Sequence, residues 1–147
     1  MLENFRGYFG EIEMPGPIVE RAEQICTAFD QAIELPLEDV FVCDVFEAEG
    51  ARRFTSLWLR TPSYFIEAKN FVVAQQIDFT TASGTDYVEF TRSDLVNLDQ
   101  TGPGTTLHVT VQFSVGMHGV LTAAHNNCRY LYVFATKHFM PKRTKAT

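Results

Sequence analysis

A chain of 147 residues, 46% hydrophobic and 20% charged, suits one domain and is tight for two. At this size a chain buries roughly two-thirds of the surface its unfolded state exposes, so it holds a core without covalent staples. Its net charge of −6 is unevenly spread: residues 1–50 carry twelve acids against Arg6 and Arg21, a net of −10, whereas residues 100–147 carry five bases and no acid. So acidic a head argues against nucleic acid or an anionic membrane as the main partner, because phosphates repel it.

No stretch approaches the ~18 to 20 apolar residues of a membrane span. The opening residues carry Glu3, Glu11 and Glu13 and no apolar run, so no signal peptide is expected. Three cysteines, Cys26, Cys43 and Cys128, make no disulfide framework and suggest a reducing, cytoplasmic setting. Thirteen Phe, five Tyr and one Trp are many rings for this length. They predict a thick core, or else an apolar pocket or an oligomer interface.

Residues 1–15 show no periodicity and read as a docking arm, with Phe5, Tyr8, Phe9, Ile12 and Met14 apolar enough to seat it. Gly16-Pro17 then opens a helix, since proline suits the first helical position. Ile18, Ala22, Ile25, Phe29 and Ile33 recur at steps of three and four, with acids and amides on the opposite face. Pro36 stops this helix of ~18 residues, about 27 Å long at 1.5 Å per residue.

Beyond Pro36 the period changes. Val40 to Phe46 is a nearly continuous apolar run and reads as a strand covered on both faces. Phe54 to Leu59, Tyr64 to Lys69 and Tyr87 to Thr91 follow as strands, broken by Thr61-Pro62-Ser63 and Ala82-Ser83-Gly84-Thr85. Phe71 to Phe79 and Ser93 to Leu98 carry no decisive pattern. After the loop at Gly102-Pro103-Gly104, Leu107, Val109, Val111, Phe113 and Val115 alternate with polar residues, a half-buried strand. Gly116-Met117-His118-Gly119 turns the chain, Val120 to His125 reads equally as strand or helix, and Asn126-Asn127 is a turn. Arg129 to Phe139 reads as a long strand, apolar on both faces, and Pro141 to Thr147 as a basic tail.

One firm helix and six to eight strands without helical crossovers predict an α+β fold. The N-terminal amphipathic helix packs on a curved, mainly antiparallel sheet or partly open barrel. The strand run from Phe54 to Phe139, with Tyr64–Lys69 and Tyr87–Leu98, resembles a pleckstrin-homology-like barrel. The resemblance implies a capping helix at the end of the chain, where a strand and a tail are read here. No motif of that family is present, so no residue role follows from it.

The sequence holds no phosphate-binding glycine loop, Gly-x-Ser-x-Gly elbow, His-Glu-x-x-His or paired Cys-x-x-Cys, so no cofactor is expected. Asp44, inside an apolar run, must be paired, hydrogen-bonded or protonated. A salt bridge to Arg52, Arg53 or Arg60 is the plainest solution, and general acid–base chemistry with His108 the sharper one. His108 faces away from Leu107 and Val109, so a carboxylate such as Asp44 or Glu89 opposite it would tune it. Trp58 and Phe113 are the candidates for lining an apolar pocket. His125 and Cys128, three apart across a turn, are the candidate metal ligands, with His118 and His138 brought in only by a hairpin.

From these readings the chain is expected to be a non-enzymatic binding or assembly domain that forms a homo-oligomer, its acidic head answering its basic tail. The alternative is a small enzyme or carrier whose pocket between helix and sheet takes a small apolar ligand.

Overall fold

The structure is a computed structural model that describes residues 2–32, 37–46, 51–72, 78–82, 85–92, 106–113 and 118–140. Two helices, α1 (Leu2–Glu11) and α2 (Gly16–Ala32), precede the strands β1 (Asp39–Phe46), β2 (Arg52–Arg60), β3 (Phe65–Lys69), β4 (Asp78–Ala82), β5 (Thr85–Arg92), β6 (Thr106–Phe113) and β7 (His118–Ala124). A third helix, α3 (Asn127–His138), follows. The strands form two antiparallel meanders, β1-β2-β3-β4 and β5-β6-β7, and the fold is therefore α+β.

Period-two alternation divides the core. Val40, Val42, Leu57, Leu59, Ile66 and Ala68 face one way, into a cluster with Phe5, Phe9, Ile12, Ala22, Ile25 and Cys26 of the two N-terminal helices. Phe41, Cys43, Trp58 and Phe65 face the other way, into a cluster with β6, β7 and α3. The first sheet is thus covered on both faces, as the nearly continuous apolar run of β1 predicts.

The α2 helix follows its sequence signal, with Ala22, Ile25 and Cys26 buried. Its predicted stop at Pro36 lies outside the described residues, as do Ser93 to Leu98, Gly102 to Gly104 and the tail from Pro141.

Residues 1–15, expected as an aperiodic arm, instead contain α1. Phe5, Phe9 and Ile12 recur at helical steps and are buried, with Tyr8 half-buried beside them. Gly7 and Gly10 obscure that pattern, since each costs a helix about 1 kcal/mol relative to alanine. Tertiary packing overrides the weak propensity. The helix ends with Glu13 in the left-handed region at φ 61°, where Glu13 N–H donates to the Gly10 carbonyl and Met14 N–H to that of Phe9, both at 3.1 Å. These two bonds close the helix terminus as a Schellman motif.

Arg129 to Phe139, expected as a strand, is helical almost throughout. Its buried residues Cys128, Leu131, Phe134 and Ala135 keep a three-to-four step. The aromatic and β-branched residues between them imitate a two-faced strand because Tyr130 and Tyr132 are half-covered by the same cluster.

By contrast, β6 alternates as predicted, with Leu107, Val109, Val111 and Phe113 buried. Between β1 and β2 the register slips, Val42 opposing Leu57 but Asp44 opposing Phe54. One extra β2 residue is accommodated at this bulge. No helix among the described residues is long and apolar enough to cross a membrane.

Candidate functional site

Two features stand out, a buried polar hub and a groove. The hub is built around Asp44, which is fully buried. Its Oδ2 accepts from Arg52 Nε at 2.6 Å, and its Oδ1 accepts from Asn127 Nδ2 at 2.7 Å and from Ala124 N–H at 3.0 Å. Burial raises the Asp44 carboxyl above its ordinary value, and the three donors oppose that rise.

Arg52 goes on to donate to the carbonyls of Ile12, at 2.8 Å, and Ala124, at 3.1 Å, and to Asn126 Oδ1 at 2.7 Å. Asn127 also donates to the Val42 carbonyl at 2.7 Å and accepts from the Tyr8 hydroxyl at 2.9 Å, while that hydroxyl accepts from Val42 N–H at 3.0 Å. Burial first of all pushes the Tyr8 phenol well above its ordinary value. It stays neutral and serves as one donor and one acceptor. The hub ties α1, β1, β2, β7 and the start of α3 together. Both oxygens of Asp44 are engaged and the side chain is fully buried, so this carboxylate fastens the surrounding elements together.

The groove lies between α1, the chain leading into β1, and α3. It encloses about 420 Å³. Phe5, Tyr8, Leu37, Val40, Val133 and Phe134 give it an apolar wall, and Glu38, Asp39 and Arg129 are its charged members. Val133 is 51% exposed. Asp39 Oδ2 is 2.7 Å from His138 Nε2, which ties the end of α3 to the start of β1. Tyr130, which also lines the groove, donates to the Glu11 carboxylate.

The residues singled out from the sequence are scattered. Of the three arginines offered to Asp44, Arg52 is the partner. His108 is exposed on β6, opposite Thr91 and Thr122. Glu89 opposes Thr110, two residues along β6, and no contact joins His108 to Asp44 among the described residues. Trp58 and Phe113 stack on one another, centroids 6.2 Å apart, inside the second core cluster. They fill the core there.

His125 forms a left-handed turn at φ 55° between β7 and α3, while Cys128 is buried with its thiol donating to the Ala123 carbonyl at 3.5 Å. His138 is carried about 15 Å from Cys128 by ten residues of helix. Among the described residues no three His, Cys, Asp or Glu side chains are grouped to hold a metal ion.

Compared with known protein families, curated proteins and solved structures, the chain matches none.

The sequence reading missed Tyr8, Asn126 and Asn127 as members of the hub. Two consecutive asparagines just before a helical period were the available signal. Their partners on α1 and β1 lie 83 to 119 residues away along the chain, beyond the reach of any local pattern.

Proposed function

We propose that this chain is a non-enzymatic binding or assembly domain that works through the groove between α1, the start of β1 and α3, with a second copy of the chain as its first-choice partner. One observation carries the reading. The groove has an apolar wall and a half-exposed valine at Val133. The polar groups with the most chemistry in them are locked into the fold elsewhere. Apolar surface left open on a small domain marks an interaction site.

The charge division supports self-association. The exposed side of α2 carries Glu20 beside the half-buried Glu23, and the five bases of residues 100–147 stand at the other end of the chain, so head and tail of two copies attract. The two-faced run of β1 and most of the described rings no longer argue for an oligomer, because the two core clusters absorb them within one chain.

The order of elements supports a pleckstrin-homology-like arrangement for the domain. Two successive antiparallel meanders are followed by a helix at the chain's end, the place that resemblance requires, and α1 and α2 are additions before it.

Native mass spectrometry combined with light scattering tests the assembly reading. A dimer or larger species at micromolar protein, weakened by salt and by Val133→Asp, supports it. A monomer at all concentrations and salts overturns it. The groove's volume and apolar wall also favour the rival reading, a carrier of a small organic molecule. A monomer carrying a bound small-molecule mass would replace the assembly reading with that one.

A further inference from the structure

We propose that the pocket at the C-terminal end of α3, formed by Arg60, Lys137 and His138, is an anion site that takes a phosphate group. This inference does not rest on the groove or on self-association.

The pocket encloses about 390 Å³ and is lined by Glu38, Arg60, Lys137, His138 and Met140. Its central group is the Arg60 guanidinium, whose carbon lies 4.3 Å from the centre of the Phe65 ring. Stacking on an aromatic face fixes the plane of the guanidinium and leaves its edge for a fork of two parallel hydrogen bonds, the arrangement that suits phosphate oxygens.

Arg60 has no hydrogen bond or ion pair from its side chain among the described residues, and its Nε is buried without an acceptor. A buried donor left unmade costs about 1–3 kcal/mol. The two terminal nitrogens are not buried and make no hydrogen bond among the described residues, so they are the donors that a ligand reaches on an arginine held in one orientation. Burial lowers the Arg60 pKa, and the nearby Glu38 opposes that.

The other charges define what fits. Lys137 is exposed at the pocket rim and adds a second cation. His138 is engaged with Asp39 at 2.7 Å, which leaves Asp39 occupied and lessens its repulsion. Glu38 lines the same pocket and repels any anion. Two cations against one free carboxylate leave a net attraction that is small for a single negative charge and doubles for a dianion, since attraction and repulsion scale together. Met140 supplies an apolar edge, 46% exposed, for whatever the phosphate is attached to.

The test uses the full chain, inorganic phosphate as the probe, and chloride to hold ionic strength constant. In ¹H–¹⁵N spectra the Arg60 Nε–H and the Lys137 and Met140 amides are expected to shift along one saturable curve in the millimolar range. Arg60→Gln should weaken the response of the two amides about tenfold, the loss of a charge-assisted fork. Lys137→Ala, at an exposed position that the fold does not depend on, should weaken it roughly threefold; it carries the test if Arg60→Gln does not fold. Shifts linear in phosphate and unchanged by Lys137→Ala would overturn the site. An equal saturable response to acetate would overturn the choice of phosphate and leave a general carboxylate pocket in its place.

Discussion

The Asp44 carboxylate and the Arg52 guanidinium meet at 2.6 Å with Asp44 fully enclosed, and from this pair hydrogen bonds reach Ile12 just beyond α1, Ala124 of β7, and Asn126 and Asn127 at the start of α3. A buried pair of this kind is worth little in itself against an apolar replacement, but half of it is very costly to keep. Asp44→Ala strands the Arg52 charge, the Asn127 amide and the Ala124 N–H together. It is expected to lower the unfolding free energy by about 3–5 kcal/mol in urea denaturation. Replacing Asp44 and Arg52 together should cost less than the sum of the two single changes. Strict additivity would show that the two side chains do not act as one unit. The Arg6–Glu23 pair, at 2.7 Å with Arg6 exposed, provides the contrast: Arg6→Ala is expected to cost under about 1 kcal/mol.

Gly119 is fixed by Trp58. A Cβ at Gly119 would lie 2.7 Å from Trp58 Cη2 and 3.1 Å from Val111 Cγ1, too close for either sheet to yield cheaply. Gly119→Ala should therefore destabilise by roughly 1–3 kcal/mol. The smaller ring of Trp58→Phe, made in the Gly119→Ala background, should recover part of that loss. Thermal unfolding of the four proteins of this cycle decides it; no recovery would mean that Trp58 is not the obstacle.

Glu67 sets a pH dependence. It is 9% exposed on β3, and burial raises its carboxyl above the ordinary value, with the charge of Lys69 opposing. A folded-state pKa above the unfolded one means that the native chain holds this proton to higher pH. The contribution of Glu67 is thus unfavourable at neutral pH. It is relieved as pH falls through the folded-state value, and vanishes below the unfolded value. Glu67→Gln should raise stability at neutral pH and flatten the profile between pH ~7 and pH ~4, the ordinary glutamate range. Denaturation midpoints measured across that range check the sign; a variant less stable at neutral pH contradicts it.

The three cysteines are buried thiols. Burial first of all pushes Cys26 up to about 12, and raises Cys43 further. The thiolate is the reactive form, so the folded protein should consume almost no Ellman's reagent near pH 8 and three equivalents in denaturant. A fast native equivalent would mean that one of these side chains reaches solvent.

What the sequence determined by itself is whatever rests on local periodicity. Ile18, Ala22, Ile25 and Phe29 mark α2 because a helix brings every third or fourth residue to one face. Leu107 to Phe113 marks β6 because a strand alternates, and the nearly continuous apolar run of β1 foretold a strand covered twice. The oddity of Asp44 was legible for the same reason, as one charge in an apolar row.

Only the tertiary structure decided the rest. The α1 helix carries two glycines and forms because Phe5, Phe9 and Ile12 find the outer face of the first sheet. The α3 segment is rich in residues that favour strands and is helical because Leu131, Phe134 and Ala135 meet the inner cluster at a helical step. The choice of Arg52 over Arg53 and Arg60, the convergence of Tyr8 and Asn127 on β1, and the stacking of Arg60 on Phe65 all join residues from separate elements. Such pairings are fixed by how the elements pack, and the order of residues along the chain does not encode them locally.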